Sequence, residues 1–287
     1  MRTLPPLPLL PFALAGAAAL LAGCGTTAPK PPVSAVEVGE FRAGIGILNG
    51  YLPRADLPDS LALVAAPPAE GSAALAAVVA TTRQLTALAS GPRGVLARKD
   101  ANLNFPAAAS VFDCALGLRV SEAGTPHLNM LLRRTLTDAG LATYKAKDHY
   151  TRTRPFVALN LPSCTPDEEA KLSKDGSFPS GHSALGWAWA LVLTEAAPDR
   201  ANALLQRGRA FAQSRAVCGV HWQSDVQAGM LIGAATVARL HANPAFRAQV
   251  AAASDEVAAA RQAGQVPAAA DCAAEAEALA TTSRIAP

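Results

Sequence analysis

Aromatic residues are scarce in this chain of 287 residues, making up only 5% of it. Runs of β-branched residues are sparse as well, while alanine and leucine are abundant. That balance argues against a large sheet and for helices. Charged residues amount to 16% and the net charge is +3. There is no long basic stripe and no interleaving of aromatic with basic residues, so no nucleic-acid partner is expected. CxxC pairs and Cys–His clusters are missing, as are paired carboxylates at metal-ligand spacing; no metal and no cofactor is therefore expected. Beyond Cys24 no apolar run is both long enough and charge-free enough to span a membrane, which takes about 20 residues. The hydrophobic share of 51% in turn excludes a disordered chain.

What is present begins with an N-terminal signal. Met1-Arg2 is a short positive start, Leu9 to Leu21 an apolar run, and Leu21-Ala22-Gly23-Cys24 follows. This is the layout of a secretory segment. Small residues before a cysteine resemble the lipobox of bacterial lipoproteins, which implies cleavage before Cys24 and lipidation of its thiol; an ordinary cut near Ala22 or Gly23 is the other reading. Residues 1–23 are thus expected to be a lipoprotein signal peptide and residues 24–35 a proline-bearing tether. The mature chain would be a soluble domain held to a membrane by its lipid, in the periplasm or cell envelope. Four cysteines remain: Cys114, Cys164, Cys218 and Cys272. An even number in an exported chain suggests disulfides, with three possible connectivities. Cys164 and Cys218 flank the motifs described below, and a bond between them would clamp those motifs together. Cys114–Cys272 then follows by elimination.

The body of the chain reads as one all-α domain, residues 36–262, with an alanine-rich C-terminal tail at 263–287. Helices are expected over 72–92 and 101–119, then from Thr125-Pro126 to about Arg152, where leucines recur at helical spacing. Residues 156–179 read as a loop. A helix from about His182 to Ala197, apolar nearly all round, should be central. Further helices are expected over 200–217, from a capping box at Ser224 and Gln227 to about Ala242, and over 245–262 and 268–281. Trp187, Trp189 and Trp222 read as core.

Three groups carry chemistry. Lys147 and Arg154 are seven residues apart, two helical turns, and would share a face if the helix reached Arg154. Pro179-Ser180-Gly181-His182 stands at the mouth of the central helix, where free N–H groups and the dipole favour an anion. Ser214-Arg215 is followed by His221 and, four residues on, Asp225. Each has an ordinary explanation alone: surface cations, a helix-end histidine, a surface i,i+4 pair. Together they hold the parts for phosphoryl transfer without metal. Lys147, Arg154 and Arg215 would neutralise the phosphoryl oxygens, with Ser180 and the N–H groups near Gly181 as further donors. Asp225 can orient His221 as nucleophile, leaving His182 as general acid.

The stretches "AKDHYTRTRPF", "PSGH" and "SRAVCGVHWQSD" resemble the tripartite signature of the type 2 phosphatidic acid phosphatase (PAP2) and vanadium haloperoxidase superfamily. Within it the chain is similar to the bacterial class A non-specific acid phosphatases, from about Tyr51 to Phe246. The resemblance implies an all-helical fold, a phosphohistidine intermediate on His221, and hydrolysis of small phosphomonoesters at acidic pH. Departures are an alanine-rich stretch over 72–105, the lipobox, and the added Cys114 and Cys272. Other readings of the same residues are a phosphatase for lipid or lipid A phosphates, a vanadium-dependent haloperoxidase, and a non-catalytic anion-binding lipoprotein.

Overall fold

The computed structural model describes residues 30–282. The expected signal peptide at 1–23, Cys24, the tether before residue 30 and the last five residues lie outside the described residues. From Pro31 onward the chain forms one unit. Its helices are α1 (Ala35–Val38), α2 (Ser60–Leu63), α3 (Ala73–Thr86), α4 (Pro92–Ala101), α5 (Asp113–Leu116), α6 (Pro126–Ala142) and α7 (Tyr144–Tyr150). After these come α8 (Pro155–Ala158), α9 (Pro166–Leu172), α10 (Gly181–Ala196), α11 (Ala201–Val217), α12 (Gln223–Leu240), α13 (Pro244–Gln262) and α14 (Ala269–Thr282). Among the described residues the β structure is one isolated bridge, Glu40 to Leu48. The fold is all-α, as the composition implies.

Helix starts follow local chemistry. Prolines occupy the first turn of α4, α6, α8, α9 and α13, where the missing N–H costs nothing. Ser72, Ser180 and Asn243 cap α3, α10 and α13 by accepting from the backbone N–H of the third residue of each helix. Helix α10 is the core of the molecule, packed by α6, α11 and α12. Trp189 on it is fully buried and donates Nε1–H to the Leu132 carbonyl at 2.9 Å. Phe112 and Phe211 close around that ring. Helix α12 reaches α10 closely because Gly229 has no side chain: a Cβ there would collide with the Ser180 carbonyl oxygen. The contact places the start of α10 beside Asp225, whose carbonyl accepts the Ser180 N–H at 3.0 Å.

Several expected boundaries differ. The long helix from Thr125 stops at Ala142, and Thr143 turns its hydroxyl back on the Gly140 carbonyl before α7 begins. Helix α7 ends at Tyr150, and Thr151 is in the left-handed region with φ 41°. Arg154 is extended, as a residue before proline is disposed to be. Lys147 and Arg154 therefore do not share a helix face. The helix expected over 101–119 is broken after Ala101, where the Asn102 side chain accepts the Asn104 N–H in an Asx turn; a 3₁₀ turn at Ala107–Phe112 and α5 follow. Helix α3 tightens into a 3₁₀ turn at Ala87–Ser90, and Pro92 opens α4 instead of closing a helix. The 156–179 loop contains α9 and part of α8.

No box forms between Ser224 and Gln227: the start of α12 is closed from one side only, where Asp225 Oδ2 accepts the Trp222 N–H at 2.9 Å. The alanine-rich C-terminal segment holds α14, which packs on α4 and binds Arg207 through Glu275 at 2.9 Å. Disulfides join Cys114 to Cys272 and Cys164 to Cys218.

Candidate active site

A cavity of about 550 Å³ opens where α6, α7, α9, α10 and α11 converge. Lys147, Arg154, Gly181, His182, Arg215 and His221 all line it. Ser180 and Asp225 lie directly behind, both fully buried. The three sequence groups thus meet at one place, although more than seventy residues separate the first from the last.

Each cation arrives by a different route. Lys147, on the last turn of α7, is buried and donates to the Gly176 carbonyl at 2.8 Å. Burial pulls its ammonium down to about 8. Arg154 is held by carbonyls on every side. Nε donates to Leu172 at 2.8 Å, Nη1 to Val220 at 2.9 Å, and Nη2 to the Asp175 carboxylate at 2.9 Å. Arg215, on the last turn of α11, is buried, yet its Nε and Nη1 have no hydrogen-bond partner. Its nearest carboxylate is Glu168 at 3.7 Å. A guanidinium with unmet donors in a cavity wall is suited to an anion, which can satisfy several of them at once.

The histidines are distinct. Arg154 Nη1 lies 3.0 Å from His221 Nε2. Arginine can only donate, so Nε2 accepts and the His221 proton sits on Nδ1. Asp225 Oδ2 is 3.5 Å from that Nδ1, a short ring movement from a hydrogen bond. Burial, with Arg154 and Lys147 adding to it, holds the His221 imidazole well below the usual histidine range. His182 directs Nε2 to the Ala101 carbonyl at the end of α4, at 3.1 Å, and stacks on Phe211. A carbonyl only accepts, so Nε2 carries a proton and Nδ1 is the other titrating atom. Burial and then Arg215 push His182 down as well.

Ser180 Oγ accepts from the N–H of Ser183 at 3.3 Å and lies 2.8 Å from its hydroxyl, which also meets the Ala212 carbonyl at 3.1 Å. The first N–H groups of α10, at Gly181 and His182, have no carbonyl inside the helix. The nearest atom to a Cβ built on Gly181 is Thr143 Oγ1 at 3.7 Å, so the protein leaves that approach open. The arrangement offers cations, hydroxyl and N–H donors around one point, with two neutral imidazoles beside it. Among the described residues no three His, Cys, Asp or Glu side chains are grouped to hold a metal ion.

Sequence reasoning missed four residues. Arg152 pairs with Asp225 Oδ1 at 2.6 Å and lies over the Trp222 ring. Burial raises the Asp225 carboxyl, and Arg152 with the Trp222 N–H pulls it back. Asp175 and Glu168 face the phosphate-binding candidates Arg154 and Arg215. Asp100 anchors the support behind the site: it binds Arg207 and Ser214, the residue before Arg215, and Arg93 also donates to Ser214 at 3.0 Å. The usable signal is "TRTRP": two arginines, two residues apart in the segment before Pro155, both reach the site. The Asp100–Arg207 pair, 107 residues apart, left none.

A family model described as the PAP2 superfamily matches residues 128–248, the stretch holding all three groups. The chain is 43% identical to a non-specific acid phosphatase of Providencia stuartii over 209 residues, 72% of this chain and 84% of that one. It is 44% identical to a non-specific acid phosphatase of Salmonella typhimurium over 172 residues, 60% of this chain and 69% of the other. An acid phosphatase of Zymomonas mobilis is 39% identical over 209 residues, 73% of this chain and 79% of its own length.

Proposed function

The chain belongs to the PAP2 superfamily, and from that premise we propose that it is a broad-specificity acid phosphatase working through a phosphohistidine on His221. The observation that carries the reading is the pairing of an unprotonated His221 Nε2 with Arg154, in a cavity where Arg215 has unmet donors. A phosphomonoester enters with its non-bridging oxygens toward Lys147, Arg154, Arg215, the Ser180 hydroxyl and the N–H groups of Gly181 and His182. His221 Nε2 attacks phosphorus and the P–O bond to the alcohol breaks. His182 gives its proton to the departing oxygen. Asp225 stabilises the positive charge that forms on His221. Water then attacks phosphorus and gives a proton to His182, the phosphorus–nitrogen bond breaks with its electron pair returning to His221 Nε2, and inorganic phosphate leaves.

Acidic conditions suit this sequence. His182 must enter the reaction protonated, and burial disfavours that in the empty cavity. A bound phosphate supplies the opposite charge that offsets it. No step calls on a metal, because three cations already face the phosphoryl oxygens. We further propose that the chain is exported and anchored through Cys24; the two disulfides support an oxidising compartment.

The test is hydrolysis of p-nitrophenyl phosphate between about pH 5 and 7, with EDTA and vanadate in parallel arms. Release of p-nitrophenol that resists EDTA and is blocked by vanadate is expected. Folded protein that releases none contradicts the proposal.

A further inference from the structure

The cavity has two unlike ends. One is the cationic cradle. The other is formed by an N-terminal strap, residues 39–48, which contributes Arg42 besides its apolar side chains, together with Leu103 and Leu136. Phe41, Ile45 and Ile47 on the strap line the cavity and remain 37%, 42% and 39% exposed. Large apolar side chains grouped at an opening, with water on them, mark a place where something apolar docks.

The strap is held firmly, so its apolar face is a wall and not a loose end. Glu40 accepts the N–H groups of Gly44 and Gly46, which folds the segment on itself, and the Phe41 N–H binds the Ile47 carbonyl at 2.8 Å. Helix α6 ties it down. Thr137 donates to the Leu48 carbonyl at 2.6 Å, Arg134 to Gly50 at 2.8 Å, and Asp138 accepts the N–H groups of Tyr51 and Leu52 at 2.8 and 3.0 Å. Gly50 is needed there: a Cβ on it would collide with the Asp138 carboxylate.

We infer that Phe41, Ile45 and Ile47 form a leaving-group subsite that selects phosphomonoesters of apolar alcohols, aryl or short alkyl, over those of polyhydroxy alcohols. The inference rests on the phosphatase reading, and it deepens that reading by naming the substrate class. The phosphoryl group sits on the cations, and the ester oxygen must then point away from His221, since attack and departure are in line. The apolar end is the part of the same cavity left for the alcohol. Burying a ring or a few methylenes against three half-exposed side chains removes apolar surface from water on both partners.

Non-hydrolysable phosphonates separate this from leaving-group chemistry, because their affinity does not depend on how good a leaving group is. Competitive Ki values are measured for methyl-, butyl-, hexyl- and benzylphosphonate against p-nitrophenyl phosphate. Benzyl- and hexylphosphonate are expected to bind about tenfold more tightly than methylphosphonate. In the Phe41→Ser/Ile45→Ser/Ile47→Ser variant the ratio should collapse toward one. Equal Ki values across the series overturn the inference whether or not the variant folds, and so does an unchanged ratio in a folded variant. If the unaltered protein hydrolyses p-nitrophenyl phosphate and shows no such ratio, only the subsite fails. If it hydrolyses nothing, the phosphatase reading fails and takes the subsite with it.

Discussion

Arg154 donates to His221 Nε2 at 3.0 Å, and this single contact fixes the tautomer of the imidazole. The proton is left on Nδ1, facing Asp225. The ring thus holds its lone pair toward the cavity before any substrate arrives. In the proposed reaction a phosphate entering the cradle would draw the Arg154 guanidinium onto its own oxygens and free Nε2 for attack.

Replacing Asp225 tests that orientation. Asp225→Asn keeps the shape but loses the charge that faces the Nδ1 proton and Arg152. kcat should fall by about 10²–10⁴-fold with a smaller change in KM. In ¹⁵N NMR the His221 Nδ1–H signal should shift as it loses its anionic neighbour, while Arg154 keeps the proton off Nε2. Full activity with an unchanged Nδ1–H signal would remove Asp225 from its role.

If His182 protonates the leaving group, the effect of its loss should depend on what leaves. His182→Ala is expected to lower kcat about 10²–10⁴-fold for an alkyl phosphate. The loss should be much smaller for p-nitrophenyl phosphate, whose phenolate departs without help. Equal losses for both substrates would contradict the assignment.

Anion binding should take up a proton. Burial and Arg215 hold His182 well below its ordinary range in the empty site, and burial with Arg154 does the same for His221. Both are therefore neutral at pH 6–7, roughly their ordinary titration range. A bound anion favours the charged form and raises the histidine pKa, so the complex binds more protons than the free enzyme. Affinity must then rise as pH falls. Sulfate is a suitable probe, since it does not titrate across this range. Calorimetry at about pH 7 and about pH 5.5 should show tighter sulfate binding at the lower value, with proton uptake that the His182→Gln variant reduces. A flat profile would contradict this.

The Cys114–Cys272 bond ties α14 to α5 across 158 residues of sequence. Its removal in a Cys114→Ala/Cys272→Ala variant should cost about 2–5 kcal/mol of stability, read as a lower denaturant midpoint. Peptide mapping without reductant should find Cys114 linked to Cys272 and Cys164 to Cys218. Free thiols at these four positions would refute the pairing.

Much of the site could be read because its chemistry is local. A serine cap, a glycine and a histidine at a helix mouth make an anion site by themselves, and His221 and Asp225 meet through helix geometry. The convergence of Lys147 and Arg154 could not be read from helical spacing. Both end at the Asp175–Gly176 turn, which comes over from another part of the chain. Arg152 and Asp100 stayed hidden for the same reason: their partners are 73 and 107 residues away. The break of the long helix at Thr143 lay in a hydroxyl–carbonyl bond that no hydrophobic pattern announces.

The most direct measurement is rapid acid-free quenching during turnover of ³²P-labelled substrate, followed by peptide mapping at alkaline pH. A phosphohistidine on His221 would appear as a base-stable, acid-labile phosphoryl group on the peptide containing that residue, absent in His221→Ala, whose turnover is also lost. Steady turnover with no label on His221, or comparable turnover in His221→Ala, would contradict it.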